Sequence, residues 1–284
     1  MSTLPSYNCF DVTVKNHIAH VVFNRPDALN TMNHDFWVEL PQCITAIEMH
    51  TDARVIVVSS TGRHFSAGMD LGVFADPTSL PMAGDQSRVA ENLRRVVLQL
   101  QDSLSSLEKV RLPVLAAVQG GCIGGALDLV CAADMRYCTA DAYFNIKETE
   151  IGMTADVGTL QRMPKLIPEG VVRELAYTGR RFAAEEAFRL GFVNQVFANH
   201  EELLAGVMAI AAQIAKHSPL AVTGCKAMIN YSRDHSVADS LDYMATWQAG
   251  MFRPTDIMKS MQANATKTQA EYDDLFPVKP LFER

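Results

Sequence analysis

The stretch VLAAVQGGCIGGALDLVCAADMRYC, residues 114–138, decides the architecture. Val114 to Val118 is an uninterrupted apolar run of strand length, and Met135 to Cys138 forms a second. Between them lie two glycine pairs and the apolar segment Ala126 to Ala133, the pattern of a turn entering a short helix. A strand, a glycine turn into a helix and a further strand together predict a parallel α/β arrangement. Loops at the carboxyl ends of parallel strands gather on one side, where ligands bind.

The same design occurs upstream, where Val55 to Ser60 runs into TGRHFSAGMDL. Both strands therefore lead through glycine into a helix or helical turn, whose free N–H groups favour a developing negative oxygen. A nucleotide-phosphate reading fails, because GGCIGG is not GxGxxG and no Lys-Ser or Lys-Thr follows it. One glycine turn alone serves packing as readily as binding. Two such turns at neighbouring strand ends point to a ligand.

Working outward, His20 to Phe23 is another strand, while Asn33 to Met49 and Arg88 to Leu107 carry helical periodicity. In the second helix Val89, Leu93, Val96, Val97, Leu100 and Leu104 share one face. Beyond about Pro168 helical patterns dominate, over Ala183–Leu190, Glu201–Lys216, Pro219–Tyr231 and Val237–Gly250. The segment DPTSLPMAGD, Asp76 to Asp85, reads as a loop beside a site.

A chain of 284 residues suits one large domain or a domain with an appendage. Apolar residues make up 48% of it, yet no run approaches the roughly 20 that cross a bilayer, and the start MSTLPSYNCFDV has no basic-then-apolar leader. A soluble, cytoplasmic protein without a membrane partner is expected. The net charge of −7 argues against nucleic acid as a main partner. Six cysteines without a CxxC pair read as reduced thiols. No metal site is expected: His17 and His20, three apart on a strand, would face opposite ways. Nor does Ser66 lie in the GxSxG setting of a hydrolase nucleophile.

Acids embedded in apolar sequence carry the chemistry: Asp128 in ALDLV, Glu148 in NIKETEIG and Asp156 in MTADVGTL. A helix starting near Gly125 puts Asp128 in its first turn. Burial raises a carboxyl pKa, and neighbouring carboxylates raise one another's, which makes proton exchange feasible near neutrality. Asp134 and Glu150 read as structural or surface acids.

FSAGMDL, QGGCIGGALDLVCAADMRYC and FNIKETEIGMTADVGTLQRMPKLI, in that order, resemble the crotonase (enoyl-CoA hydratase/isomerase) superfamily, from FNRPDALN at Phe23 to the last helices. The resemblance implies a spiral of ββα turns over residues 1–200 and a helical trimerisation region over 201–284. A homotrimer or homohexamer is implied, as is an acyl-CoA substrate whose coenzyme A is part of that substrate, with no separate cofactor. By motif position the backbone N–H groups of Met69 and Gly125 form the oxyanion hole. Ser66, Ala67, Gly68 and Asp70 would line the coenzyme A path with Arg25, and lysines such as Lys259 or Lys267 would meet its phosphates.

Hydratases of the superfamily carry Glu where this chain has Asp128, Glu at Glu148 and usually glycine at Asp156. The Asp, Glu, Asp set instead resembles members that convert 3,5-dienoyl-CoA to 2,4-dienoyl-CoA in β-oxidation. That reaction needs proton removal at C2 and delivery at C6, too far apart for one short carboxyl group. Glu148 is assigned to C2 and Asp156 to C6, with Asp128 tuning them; the C2 and C6 roles are exchangeable at this stage. The competing readings are an enoyl-CoA hydratase or monoene isomerase, and a noncatalytic acyl-CoA-binding protein.

Overall fold

The computed structural model describes residues 4–75 and 83–278. Residues 76–82 of the expected loop, and the terminal PLFER, lie outside the described residues. The main sheet contains β1 (Phe10–Lys15), β2 (Ile18–Phe23), β3 (Val55–Ser60), β4 (Val114–Val118), β6 (Met135–Thr139) and β9 (Gln195–Phe197), in that order. Within this sheet only the β1–β2 pair is antiparallel. A second sheet holds β5 (Gly121–Ile123), β7 (Tyr143–Asn145) and β8 (Phe182–Ala183).

Every residue of β3 and β4 is buried, because helices cover both faces of the main sheet. Alternation along the strands divides the apolar residues between two cores. Ile56, Val58, Val114 and Ala116 pack towards α1 (His34–His50), whose Phe36, Leu40 and Ile47 are buried with them. Val55, Val57, Leu115 and Ala117 face the other way, onto Leu203, Val207, Ala211 and Ala215 of α8 (His200–Ala215). Packing against the sheet thus continues past residue 200.

Between these lie α2 (Gly72–Ala75), α3 (Gln86–Lys109), α4 (Gly125–Ala132), α5 (Thr159–Arg162), α6 (Glu169–Thr178) and α7 (Ala184–Arg189). The chain continues through α9 (Pro219–Asp234), α10 (Val237–Met251) and α11 (Pro254–Thr266).

Two expectations need correction. The apolar stripe of α3 is buried only near its end, at Ser103, Leu104 and Leu107, while Leu93 is 39% exposed. Before these, Val96, Val97 and Leu100 are half-buried, and Leu100 packs against the core. His17 does not lie on a strand: with φ 62 it forms the turn with Asn16 before β2. Strand alternation therefore says nothing about its direction.

Candidate active site

Parallel register brings the two glycine turns together. Ser66 bridges Cys122, Met32 bridges Met69, and both bridges are parallel. Met69 and Gly125 each lie three residues beyond a member of the Ser66–Cys122 pair, so the chain delivers both to the same end. The Met32 N–H donates to Gly68 O at 2.8 Å and the Asp70 N–H to Met32 O at 3.1 Å, which leaves the intervening Met69 N–H facing away from that ladder. Gly125 opens α4, where an N–H has no acceptor within the helix. Among the described residues neither N–H has a hydrogen-bond partner.

Glycine is required at this convergence. Gly68 has φ 87, and a Cβ there would sit 2.5 Å from Ile123 O. Gly124 has φ 53, and a Cβ there would sit 3.0 Å from Glu148 Oε1. The Glu148 carboxylate therefore rests against the residue that precedes the Gly125 donor. Met32 Sδ would lie 3.1 Å from a Gly125 Cβ, so this side chain and Trp37 wall the turn from behind.

The acids come from three elements. Asp128, fully buried in α4, accepts a hydrogen bond from the Thr159 N–H that opens α5. Burial pushes its carboxyl up to about 6 against that hydrogen bond, and the charge of Asp156 adds to the rise. Glu148 begins the single turn after β7 and is half-buried. Its carboxyl is pushed up to about 7, first by burial and then by the charges of Asp128 and Asp156. Burial also raises Asp156, whose carbonyl accepts from Gln101 Nε2 of α3 at 2.7 Å. The three carboxyls thus form one electrostatic cluster beside the paired N–H groups.

The remaining expected residues divide. Ala67 and Gly68 border the N–H turn, and Asp70 closes it by accepting from Thr31 Oγ1 and the Gly72 N–H, both at 2.9 Å. Ser66 has no exposed surface; its hydroxyl donates to Asn30 O and accepts from the Gly68 N–H. It braces the turn and does not line a ligand path. Arg25 donates to Thr31 O at 2.7 Å, so its guanidinium is engaged by its own loop. Lys259 pairs with Asp273, and Lys267 caps α11. Asp134 is structural, accepting from the Val114 N–H and Lys226. Gln101 and Thr159 are polar residues that the sequence reading passed over, since neither residue type stands out from a helix surface.

A ββα spiral carrying two free N–H groups and a cluster of proton-holding acids defines an acid–base enzyme class built to stabilise an enolate. The chain belongs to the enoyl-CoA hydratase/isomerase family, whose model matches residues 13–275. It is 46% identical over 264 residues to the mitochondrial Delta(3,5)-Delta(2,4)-dienoyl-CoA isomerase of Mus musculus, covering 92% of this chain and 81% of that one. It is 40% identical to the peroxisomal protein of that name from Arabidopsis thaliana, covering 96% and 100%. Among solved structures, the enoyl-CoA hydratase of Bacillus anthracis superposes with TM-score 0.83 at 27% identity, over 93% of this chain and 99% of that one. The expected cytoplasmic setting is overturned by these mitochondrial and peroxisomal relatives.

Proposed function

We propose that this chain converts 3,5-dienoyl-CoA to 2,4-dienoyl-CoA by moving a proton from C2 to C6 between carboxyl groups. The observation that carries this reading is the raised, mutually repelling acid cluster against the Gly124–Gly125 turn. The long identity to proteins named for that isomerisation supports it. With the thioester oxygen between the Met69 and Gly125 N–H groups, Glu148 takes the C2 proton. The C2–H electron pair moves into the conjugated system and negative charge develops on the thioester oxygen. Such a donor typically contributes about 10²–10³ in rate. Asp156 gives a proton to C6, and the electrons return to form the C2=C3 and C4=C5 bonds. Asp128, more deeply buried, orients α5 and raises Glu148.

Ala67, Gly68 and Asp70 border the proposed coenzyme A path. Residues 201–284 would supply the assembly surface of a trimer or hexamer. The hydratase alternative has structural neighbours in its favour, but its water chemistry gives no role to Asp156.

The deciding experiment follows conjugation of a 3,5-dienoyl-CoA by absorbance, with hydration of a 2-enoyl-CoA in parallel. Conjugation by the native protein, reduced about 10²- to 10⁴-fold in Asp156→Asn, is the expected result. Efficient hydration without conjugation would move the assignment to a hydratase, and binding without turnover to an acyl-CoA-binding protein.

A further inference from the structure

Behind the acid cluster lies an ionic assembly that the reaction scheme has not used. Arg162, at the last position of α5, donates from Nη2 to Glu108 Oε2 at 3.0 Å and to Ser105 Oγ at 2.9 Å. Glu108 also accepts from Arg233 of α9. The Arg162 and Glu108 side chains are only 15% and 17% exposed. Both guanidinium groups hold the Glu108 carboxyl below its ordinary range despite its burial. Gln101, Ser105 and Glu108 fall four and three residues apart, on one face of α3. All three contact the same short segment: Gln101 holds Asp156 O, while Ser105 and Glu108 hold Arg162.

The segment between those anchors is the catalytic turn. Arg162 folds back over Gly158 so closely that a Cβ there would lie 1.9 Å from its Nη1, and Gly158 has φ 140, which a side chain would strain. The next residue, Thr159, gives its N–H to Asp128. The turn from Asp156 to Thr159 is therefore pressed between Asp128 in front and Arg162 behind, and pinned at both ends to α3. A cavity of about 310 Å³, lined in part by Gln101, Glu108, Gly158 and Arg162, adjoins it. A turn beside that space needs these anchors to keep one position.

We propose that Arg162, clamped by Ser105 and Glu108, and Gln101 are positioning residues that aim Asp156 at the far end of the dienoyl system. Neither belongs to the N–H turn or to the three acids, and both hold only the Asp156 segment, so their loss separates the two proton transfers. Resting on the isomerase reading above, this inference requires that an enolate formed at C2 returns to C2 when C6 delivery is slow. In D2O the returned substrate then carries deuterium at C2.

The test uses the full chain, with Arg162→Gln and Gln101→Leu prepared separately. Each is incubated with 3,5-dienoyl-CoA in D2O, while conjugation is read by absorbance and C2 deuterium by mass spectrometry. The expected result is a ratio of C2 exchange to conjugation raised about tenfold or more in both variants, as a small misplacement of a catalytic group commonly costs such factors. In Arg162→Gln the Glu108 carboxylate keeps Arg233. Gln101→Leu removes only the bond to Asp156 O and stands on its own if the first variant unfolds. Exchange and conjugation falling in equal proportion, or neither changing, would overturn the positioning role. Failure of the native protein to conjugate the substrate would instead bring down the isomerase reading itself.

Discussion

Asp128 is the residue at which function opposes stability. One carboxylate oxygen takes the Thr159 N–H, while the other is buried with no partner among the described residues. Its pKa, near 4 in an unfolded chain and about 6 here, fixes the sign of the effect. Between those values the native state holds a proton that the unfolded state has released, so stability falls as pH rises. Asp128→Asn keeps an acceptor for Thr159 and removes the buried charge. We expect it to stabilise the protein by about 1–3 kcal/mol at pH 8, with little gain near pH 4, as read by chemical denaturation at both pH values. Glu148 sets the pH dependence of turnover. With Glu148 as base and Asp156 as acid, the coupled cluster must hold one proton. As the base, Glu148 must be ionised, and its carboxyl is pushed up to about 7, so kcat should rise from acid towards about pH 7 and fall in alkali, where the cluster loses the proton that Asp156 must deliver. A profile that kept rising to about pH 9 would show that no carboxyl proton is needed.

At the scale of elements, the glycine turn and the joint between α3, β4 and α9 make separate predictions. Gly124→Ala forces a side chain onto Glu148 Oε1 at positive φ, so kcat should fall about 10- to 100-fold with KM changed less. The buried Lys226 of α9 donates to Leu107 O, Leu112 O and Asp134, at 3.0, 2.9 and 2.8 Å. Lys226→Met leaves those acceptors bare and should destabilise the protein by about 2–4 kcal/mol, measured as a shifted denaturation midpoint. The uneven legibility of these elements in the sequence has a physical basis. Val55–Ser60 and Val114–Val118 announce themselves because a strand covered on both faces is mostly apolar, as VIVV and VLAAV are. By contrast, β5, β7 and β8 span three, three and two residues, too few to show any period. Asp128 stands out as a charge within ALDLV. Gln101 gives no such signal, because its importance arises from a contact 55 residues away in sequence. The misreading of Ser66 has a related cause: the motif locates it beside the N–H turn, but only packing shows its hydroxyl turned inward.

For the whole molecule, the main question is what covers the last three helices. No residue of α10 is buried, although Leu241, Met244 and Val237 lie on it, with Val237 77% exposed. Ile229 of α9 and Met258 and Met261 of α11 are likewise 66–70% exposed. Leu220, Met228, Met244, Trp247 and Phe252 line a cavity of about 580 Å³ between these helices, and none of the three acids lines it. An apolar region of this extent is costly in water and is the usual mark of an association surface. The net charge of −7 does not prevent association, since charges separated by more than about 10 Å are screened at ordinary salt while apolar burial is not. A second copy of the chain is the occupant that the family resemblance implies. Light scattering should therefore give a mass three or six times the 31.3 kDa of one chain. Lysines at both Ile229 and Leu241 should lower that mass towards one chain while leaving the circular dichroism unchanged, because neither side chain contributes to the two cores that hold the sheet. If the native chain remained single at micromolar concentration, the apolar helices would have to be covered by something other than a second copy. If the double variant became single yet conjugated dienoyl-CoA at the native rate, assembly would be independent of the acid cluster.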